Sequence, residues 1–131
     1  MVMGNTVIHE DVFKEIARLV LDDVEGIYYH ETKSPLAPLL GDKSIKPTIT
    51  IIWPAPDEEN QEQVSFDIRL AVLYGAPIPQ MVHTIRKETA ERVKKYTGYD
   101  VPAVDVYITK LIRFENERSM EDDGTEPTDN D

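Results

Sequence analysis

The sequence predicts an α+β domain with two layers, in which a mixed sheet of about four to five strands is covered on one face by two helices. Two long segments repeat apolar residues every three or four positions, which is typical of amphipathic helices. Several other segments alternate apolar and polar residues, which is typical of strands with one buried face. These segments follow one another in the order β-α-β-β-β-α-β, and 131 residues suffice for one such core.

The first predicted elements are a short strand at residues 5–8 and a helix at residues 9–26. The helix has an apolar face made of seven residues: Val12, Phe13, Ile16, Ala17, Leu19, Val20 and Val24. Gly26 stands where a left-handed residue would cap the helix. A short strand, "IYYHE", is expected next, followed by a loop at residues 32–44 whose leucines, Leu36, Leu39 and Leu40, are predicted to lie over the edge of the core.

Three longer strands, "SIKPTITIIW", "VSFDIRLAVLY" and "VDVYITKLIRF", are predicted to form most of the sheet. Their inward residues are Ile45, Ile49, Ile51 and Trp53, then Val64, Phe66, Ile68, Leu70 and Val72, and finally Val104, Val106 and Ile108. Pro47 indicates an edge or a strand end, because proline donates no ladder hydrogen bond. Lys110 interrupts the alternation, which indicates a bulge or the end of the core. Polar residues at the remaining positions predict a second face open to water.

The second helix is predicted at residues 78–97, between the last two strands, with a buried stripe and a sharp corner before it. The stripe consists of Ile78, Val82, Ile85, Thr89, Val93 and Tyr96, with Met81 beside it. In the corner "LYGAPIPQM", Gly75 permits a turn, while Pro77 and Pro79 preset the start of the helix. Gly98 is predicted to cap its end. A right-handed crossover would place this helix on the dry face of the sheet.

The acidic balance of the chain is concentrated at its C-terminus. Residues 115–131 hold eight acidic residues and one basic residue, so most of the net charge of −11 belongs to them. Because Met120 is the only apolar residue there, we predict a disordered acidic tail after a single domain at residues 1–114. An acidic body with an acidic tail repels phosphate backbones, which argues against nucleic acid as the main partner.

Composition excludes several classes of protein. With no cysteine there is no disulfide, thiolate metal site or cysteine nucleophile. The N-terminus lacks the pattern of a signal peptide, and no apolar run approaches the roughly 20 residues that span a bilayer. We therefore expect a cytoplasmic protein that does not insert into the membrane directly.

No catalytic, cofactor or metal site is predicted. "HEDVF" begins like a zinc-protease motif, but Phe13 occupies the position of the second histidine. "GDKS" lacks the glycine that a phosphate loop needs directly before Lys43. No pair of carboxylates has apolar neighbours that would raise a pKa. We accordingly expect a protein that is not an enzyme.

Outward aromatic residues are the best candidates for an interaction surface. Tyr107 is predicted on the wet face of the last strand and Arg69 on the wet face of the strand before it, while Tyr28 and Tyr29 point to opposite faces. These are either ordinary surface residues or parts of an assembly surface, since tyrosine supplies contact area at low entropic cost. An exposed edge of the sheet can also bind another chain by strand addition.

The combined order of "IARLVLDDVEGI", "LAPLLGDKSIKPTITI" and "VSFDIRLAVLYGAPIPQMVHTIRKETAERVKKYTGYDVPAVDVYI" resembles the alkaline shock protein 23 family of mainly Gram-positive bacteria. The resemblance covers roughly residues 5–112. It implies a non-enzymatic protein of the envelope stress response that self-assembles, with some members held at the inner membrane face by a membrane-anchored partner. The scaffold positions it implies are Gly26, Leu40, Gly41, Tyr74, Gly75, Pro79, Gly98 and Val101.

These features and the resemblance leave three candidate functions. The first is a self-associating or partner-docking module, in homo-oligomers or bound to a membrane-anchored partner, at the cytoplasmic face of the membrane. The alternative is a small-molecule-binding protein or enzyme with a pocket between the 36–43 loop and the second helix, where Asp42, Lys43 and His83 are the polar candidates. Nucleic-acid binding on the open sheet face is disfavoured, because aspartates offset the basic residues there.

Overall fold

The computed structural model describes residues 1–41, 43–56 and 62–114, which form three helices and four strands. In chain order these are α1 (Glu10–Asp22), β1 (Ile27–Tyr28), α2 (Ala37–Leu40), β2 (Thr48–Ile52), β3 (Ser65–Leu73), α3 (Ile78–Thr97) and β4 (Val104–Ile112). The α+β class is confirmed. The predicted opening strand at residues 5–8 is wrong, because that segment has no strand partner and α1 follows at once. The predicted acidic tail lies outside the described residues.

Strand β3 lies at the centre of a mixed sheet and pairs with every other described strand. β4 runs parallel to it along one edge. β2 and β1 run antiparallel to it and share the opposite edge, β2 against Ser65 to Arg69 and β1 against Ala71 and Val72. β1 and β2 thus behave as one interrupted edge strand, and the segment between them leaves the sheet.

That segment, residues 29–47, leaves and returns as a narrow excursion. His30 and Ile45 exchange main-chain hydrogen bonds of 2.8 and 2.6 Å at its base, and β2 begins directly after Pro47, as the proline predicted. Contrary to expectation, Leu36, Leu39 and Leu40 do not cover the core but are 53%, 82% and 72% exposed. Only Ala37 of the short helix α2 is buried, because one four-residue turn can direct few side chains inward.

Helix α1 covers the half of the sheet that contains β2, and its buried residues are Phe13, Ile16, Ala17, Val20 and Leu21. The buried stripe is narrower than predicted, since Val12 and Leu19 are almost half exposed. The helix also ends earlier, at Asp22, with Asp23 as the C-cap residue in a right-handed conformation. Gly26 is therefore not the cap, and it forms the turn into β1 instead.

Helix α3 connects β3 to β4 and packs beside α1 on the same face of the sheet. Its buried residues, Met81, Ile85, Thr89 and Val93, are spaced four apart. Tyr96 was predicted in this stripe but is 65% exposed, because the helix extends past the end of the core. Tyr99 packs there instead, with its ring centroid 5.1 Å from that of Phe13.

The corners of α3 follow the predicted chemistry. Gly75 has a φ of 95° in the turn after β3, and Pro77 is the N-cap residue. Pro79 is the second residue of the helix, where a missing N–H leaves no helical hydrogen bond unmade. Gly98 caps the helix in the left-handed conformation and donates its N–H to the carbonyl of Lys94. Val101 packs against the core after this cap.

A bulge interrupts the pairing of β3 and β4 at the position the sequence indicated. Leu70 lies opposite Ile108 but Ala71 lies opposite Lys110, so Thr109 is an extra residue. The hydroxyl of Thr109 donates a 3.1 Å hydrogen bond to the carbonyl of Leu70 and so satisfies an acceptor at the interruption. The insertion turns Lys110 toward the water-facing side of the sheet, beside Ala71.

Gly26 is required for two independent physical reasons. Its φ of 99° is a conformation that residues with a Cβ rarely adopt. A Cβ at this position would also lie 2.9 Å from the Cβ of Ala76 and 3.1 Å from the sulfur of Met81. The turn into β1 is therefore packed directly against the start of α3.

We predict that Gly26→Ala lowers the free energy of unfolding by about 1–3 kcal/mol from backbone strain and by a comparable amount from overpacking. Gly75→Ala is the matched control, because Gly75 also has a positive φ but has no atom within 4 Å of the position of a Cβ. Denaturant unfolding of both variants separates the two contributions. Equal destabilisation in the two variants would contradict the contact with Ala76 and Met81.

Thr89 is the one described residue that is polar and fully buried, and its hydroxyl has no hydrogen-bond partner among the described residues. It sits in the middle of the α3 stripe, between Ile85 and Val93. An unpaired buried hydroxyl destabilises the folded state by about 1–3 kcal/mol.

We therefore predict that Thr89→Val raises the free energy of unfolding by about 1 kcal/mol, because valine keeps the shape and removes the unpaired group. Thr84→Val, on the exposed side of the same helix, controls for the change in helix propensity. Thermal and denaturant unfolding of both variants tests the prediction, which fails if Thr89→Val is destabilising.

Candidate interaction surface

One face of the sheet is not covered by either long helix, because α1 and α3 both pack on the other. The register of the strands identifies the side chains on this open face. They are Thr48, Thr50 and Ile52 of β2, Ser65, Asp67, Arg69, Ala71 and Leu73 of β3, and Asp105, Tyr107, Lys110 and Ile112 of β4. The predicted wet face is therefore present, with β2, β3 and β4 contributing side by side.

Arg69 and Tyr107 lie directly opposite each other on neighbouring strands and form a cation–π pair. The guanidinium carbon of Arg69 is 4.5 Å from the centroid of the Tyr107 ring. Arg69 also donates from Nε to a carboxylate oxygen of Asp67 at 3.1 Å, and this hydrogen bond raises the pKa of Arg69 above its ordinary value. The guanidinium is thus held over the ring at the middle of the open face, with 44% of Tyr107 exposed.

The far end of the open face, near the end of β3, carries aromatic residues beside Lys110. The rings of Tyr28 and Phe114 lie 5.9 Å apart, and Ala71 is only 3% exposed although it lies on this outer side. Tyr74, in the corner after β3, lies under the guanidinium of Arg113 at 4.9 Å. The open face therefore has a charged half around Arg69 and an aromatic half around Tyr28.

The outer edge of β4 borders the open face, and among the described residues β4 pairs with β3 alone. Edge strands with unpaired main-chain groups are templates for pairing with another chain. One group at this edge is already occupied, since Arg86 of α3 donates from Nε to the carbonyl of Val104 at 2.9 Å. This contact limits the available edge to the part of β4 after Val104.

Of the residues predicted as an interaction surface, the structure brings Arg69 and Tyr107 together and places Tyr29 elsewhere. Tyr28 and Tyr29 do point to opposite faces: Tyr28 contacts Phe114, whereas Tyr29 lines a cavity of about 550 Å³ beside α1. The other lining residues are Arg18, Leu21, Asp22, Val24, Ile27, Glu31, Lys46 and Pro47. Whether any of these tyrosines binds a partner stays a prediction.

The pocket expected between the 36–43 loop and the second helix does not coincide with this cavity, to which neither the leucines nor His83 contribute. Leu40 and Gly41 are exposed at the excursion. A second cavity of about 310 Å³, near Trp53 and Pro102, is likewise distant in sequence from that loop. The smaller cavity is lined by no charged residue of the described part of the chain, whereas Arg18, Asp22, Glu31 and Lys46 contribute both signs of charge to the lining of the larger one.

Neither a cluster of metal ligands nor a membrane-spanning helix is found in residues 1–41, 43–56 and 62–114. There, no group of three or more histidine, aspartate or glutamate side chains is placed to hold a metal ion. None of the described helices is both long enough and apolar enough to cross a membrane.

Sequence reasoning missed two residues of this surface. Arg86 reaches Val104 across 18 positions, and no local pattern indicates that contact. Phe114 ends the predicted last strand as an aromatic residue, and that position is a signal from which a surface residue could be predicted. Its packing on Tyr28 is not predictable in this way, because that contact depends on the pairing of β1 and β4 with opposite edges of β3.

Comparison with known proteins assigns this chain to a family. A model of the Asp23 family, described as having a cell envelope-related function, matches residues 1–113 (the name abbreviates alkaline shock protein 23 and does not denote a residue). No curated protein and no solved structure matches this chain. The family description names no reaction.

The hydroxyl of Tyr29 donates a 2.8 Å hydrogen bond to Glu31, and this bond raises the pKa of the phenol above its ordinary value. We predict that Glu31→Gln lowers that pKa, because the neutral amide no longer favours the protonated phenol. Tyrosinate absorbance is followed during alkaline titration of the natural chain, of Glu31→Gln, and of each of these with Tyr29→Phe added. Subtracting the curve of the Tyr29→Phe form from that of its parent gives the titration of Tyr29 alone. An unchanged midpoint would contradict the hydrogen bond.

Proposed function

This chain belongs to the Asp23 family, whose function is cell envelope-related, and on that premise we propose that it acts as a binding module of the envelope stress response. In this proposal the protein performs no reaction of its own. It associates with further copies of itself and with a membrane-anchored partner protein at the cytoplasmic face of the membrane. Nucleic acid is not a partner, since Asp67 holds Arg69 and the chain as a whole carries a net charge of −11.

The observation that supports this proposal most directly is the open face of the sheet. Both long helices cover the opposite face, so the side chains around Arg69 and Tyr107 remain accessible in the described part of the chain. Tyrosine and arginine are enriched where protein interfaces have their largest energetic contributions. Because Asp67 and Tyr107 hold the Arg69 side chain in place, less conformational entropy is lost when a partner binds.

The acidic charge of the chain makes self-association depend on the salt concentration. The acidic segment that follows residue 114 carries most of the net charge of the chain. Neighbouring copies would repel one another through these segments, and repulsion between exposed charges is screened as the ionic strength rises. Self-association of the full chain should therefore strengthen with salt, and a chain ending at Phe114 should associate with little dependence on salt.

We predict that Tyr107→Ser weakens self-association and membrane recruitment by about tenfold, because it removes the central aromatic side chain of the open face. Tyr96→Ser is the matched control, since Tyr96 is also exposed and also lies near a cation, Lys95, but belongs to α3 on the covered side. Light scattering after size exclusion gives the mass relative to the 14.9 kDa monomer. Co-sedimentation with membranes from the producing cells measures recruitment.

The same membranes after protease treatment show whether recruitment depends on a protein partner. Loss of co-sedimentation supports a membrane-anchored protein, and unchanged co-sedimentation contradicts it. If Tyr96→Ser weakens binding as much as Tyr107→Ser does, the open face is not the binding surface. A full chain that is monomeric at every concentration and is not recruited to membranes would overturn the proposed function.

A further inference from the structure

The outer edge of β4 is built so that its main-chain groups alternate in direction. The carbonyl of Ala103 accepts from the N–H of Phe66 in β3, whereas the carbonyl of Val104 is turned away and accepts from Arg86. Up to the bulge, this alternation directs the N–H and C=O groups of Val106 and Ile108 away from β3. No described strand pairs with them.

We infer that β4 pairs antiparallel with β4 of a second copy across a two-fold axis, with Tyr107 opposite Tyr107 at its centre. This inference rests on the proposed function, and it specifies the surface and the geometry of self-association. In this register Val106 of each copy lies opposite Ile108 of the other. Each of these two symmetry-related pairs exchanges two main-chain hydrogen bonds, about four in total, which joins the two sheets into one.

The structure favours this register over its neighbours. Registers whose two-fold axis falls between two residues would place side chains from opposite faces of the sheet against each other. An axis at Val106 would need the carbonyl of Val104, which Arg86 occupies. An axis at Ile108 would need Lys110, which lies after the bulge and pairs toward β3. The register centred on Tyr107 avoids both obstacles.

The side chains of this register are also self-complementary. On the core side, the partly buried Val106 and Ile108 extend the apolar layer from one copy to the other. On the open face, the two Tyr107 rings form an aromatic cross-strand pair, and each ring keeps its own Arg69. Asp105 lies opposite Thr109 rather than opposite a second carboxylate.

The geometry also separates the two ends of β4 from which the chains continue toward their acidic segments. Because the strands are antiparallel, the two Ile112 residues lie at opposite ends of the pairing, roughly 33 Å apart at about 3.3 Å per residue. This separation exceeds the Debye length of about 8 Å at physiological ionic strength. The acidic segments that follow residue 114 therefore begin far apart, so the repulsion between them is lower than in a parallel pairing and still weakens as the ionic strength rises.

Cysteine cross-linking of the full chain tests the inference, since the natural sequence has no cysteine. In Tyr107→Cys the two Cα atoms would lie about 4.5 Å apart in a non-hydrogen-bonded pair, within the range that a disulfide spans. Asp105→Cys is the matched control on the same face, with its two Cα atoms roughly 14 Å apart. We expect cross-linked dimer to form at least about tenfold faster in Tyr107→Cys.

A second pair of variants tests the hydrogen bonds. Val106→Pro removes an N–H that does not belong to the ladder with β3, so the fold should survive and the dimer should be lost. Val106→Ala removes two side-chain carbons, which proline would keep in number, but it retains the N–H, so it should still associate. Circular dichroism shows that both variants are folded, and light scattering gives their masses.

The outcomes separate this inference from the proposed function. Equal cross-linking rates in the two cysteine variants, or a dimer that persists in Val106→Pro, would overturn the β4 pairing. A dimer by light scattering without cross-linking at position 107 would also overturn it and leave self-association through another surface. A strict monomer would overturn it as well, while recruitment to membranes would still support docking on a partner protein.

Discussion

The fold depends on the burial of one face of β3. Phe66, Ile68, Leu70 and Val72 are at most 1% exposed, and both long helices pack against the layer that they form. β3 also provides the pairing edges for the three other strands, so its side chains and its main chain hold the domain together. A strand of nine residues can satisfy these contacts only if β1 and β2 share one edge, and that requirement forces the chain between them into an excursion.

The same arrangement leaves the opposite face open. Since both long helices pack over the apolar side, neither covers Arg69 and Tyr107, and both of these residues are exposed. Small two-layer domains solve this by making the second face polar, and the ladder of threonines, aspartates and Arg69 does so here. The exceptions, Tyr107 and the aromatic cluster of Tyr28 and Phe114, are the features that ordinary solvation does not explain.

Two local features determine how much of the outer edge of β4 is available for pairing with another strand. Arg86 occupies the carbonyl of Val104 at the start of the strand, and the extra residue at Thr109 ends the regular alternation. Natural sheets use such side-chain caps and bulges to prevent indiscriminate pairing at their edges. In this protein they leave a short segment around Tyr107 between them, which is long enough for specific pairing and too short for extended aggregation. The outer edge of β4 can therefore pair with another strand, but only in a restricted set of registers.

The sequence by itself determined the elements that depend on local periodicity and local backbone chemistry. The alternation in β3 and β4, the bulge before Lys110, the proline corner of α3 and the cap at Gly98 are properties of neighbouring residues, and so is the outward direction of Arg69 and Tyr107. Only the tertiary structure decided which of these outward residues meet, because partners on different strands depend on register. It therefore placed Arg69 on Tyr107 and Tyr29 beside α1, and it exposed three leucines that composition alone assigns to a core. Burial is a property of the whole packed chain. The local sequence of a short loop with apolar side chains does not indicate whether those side chains will contact the core.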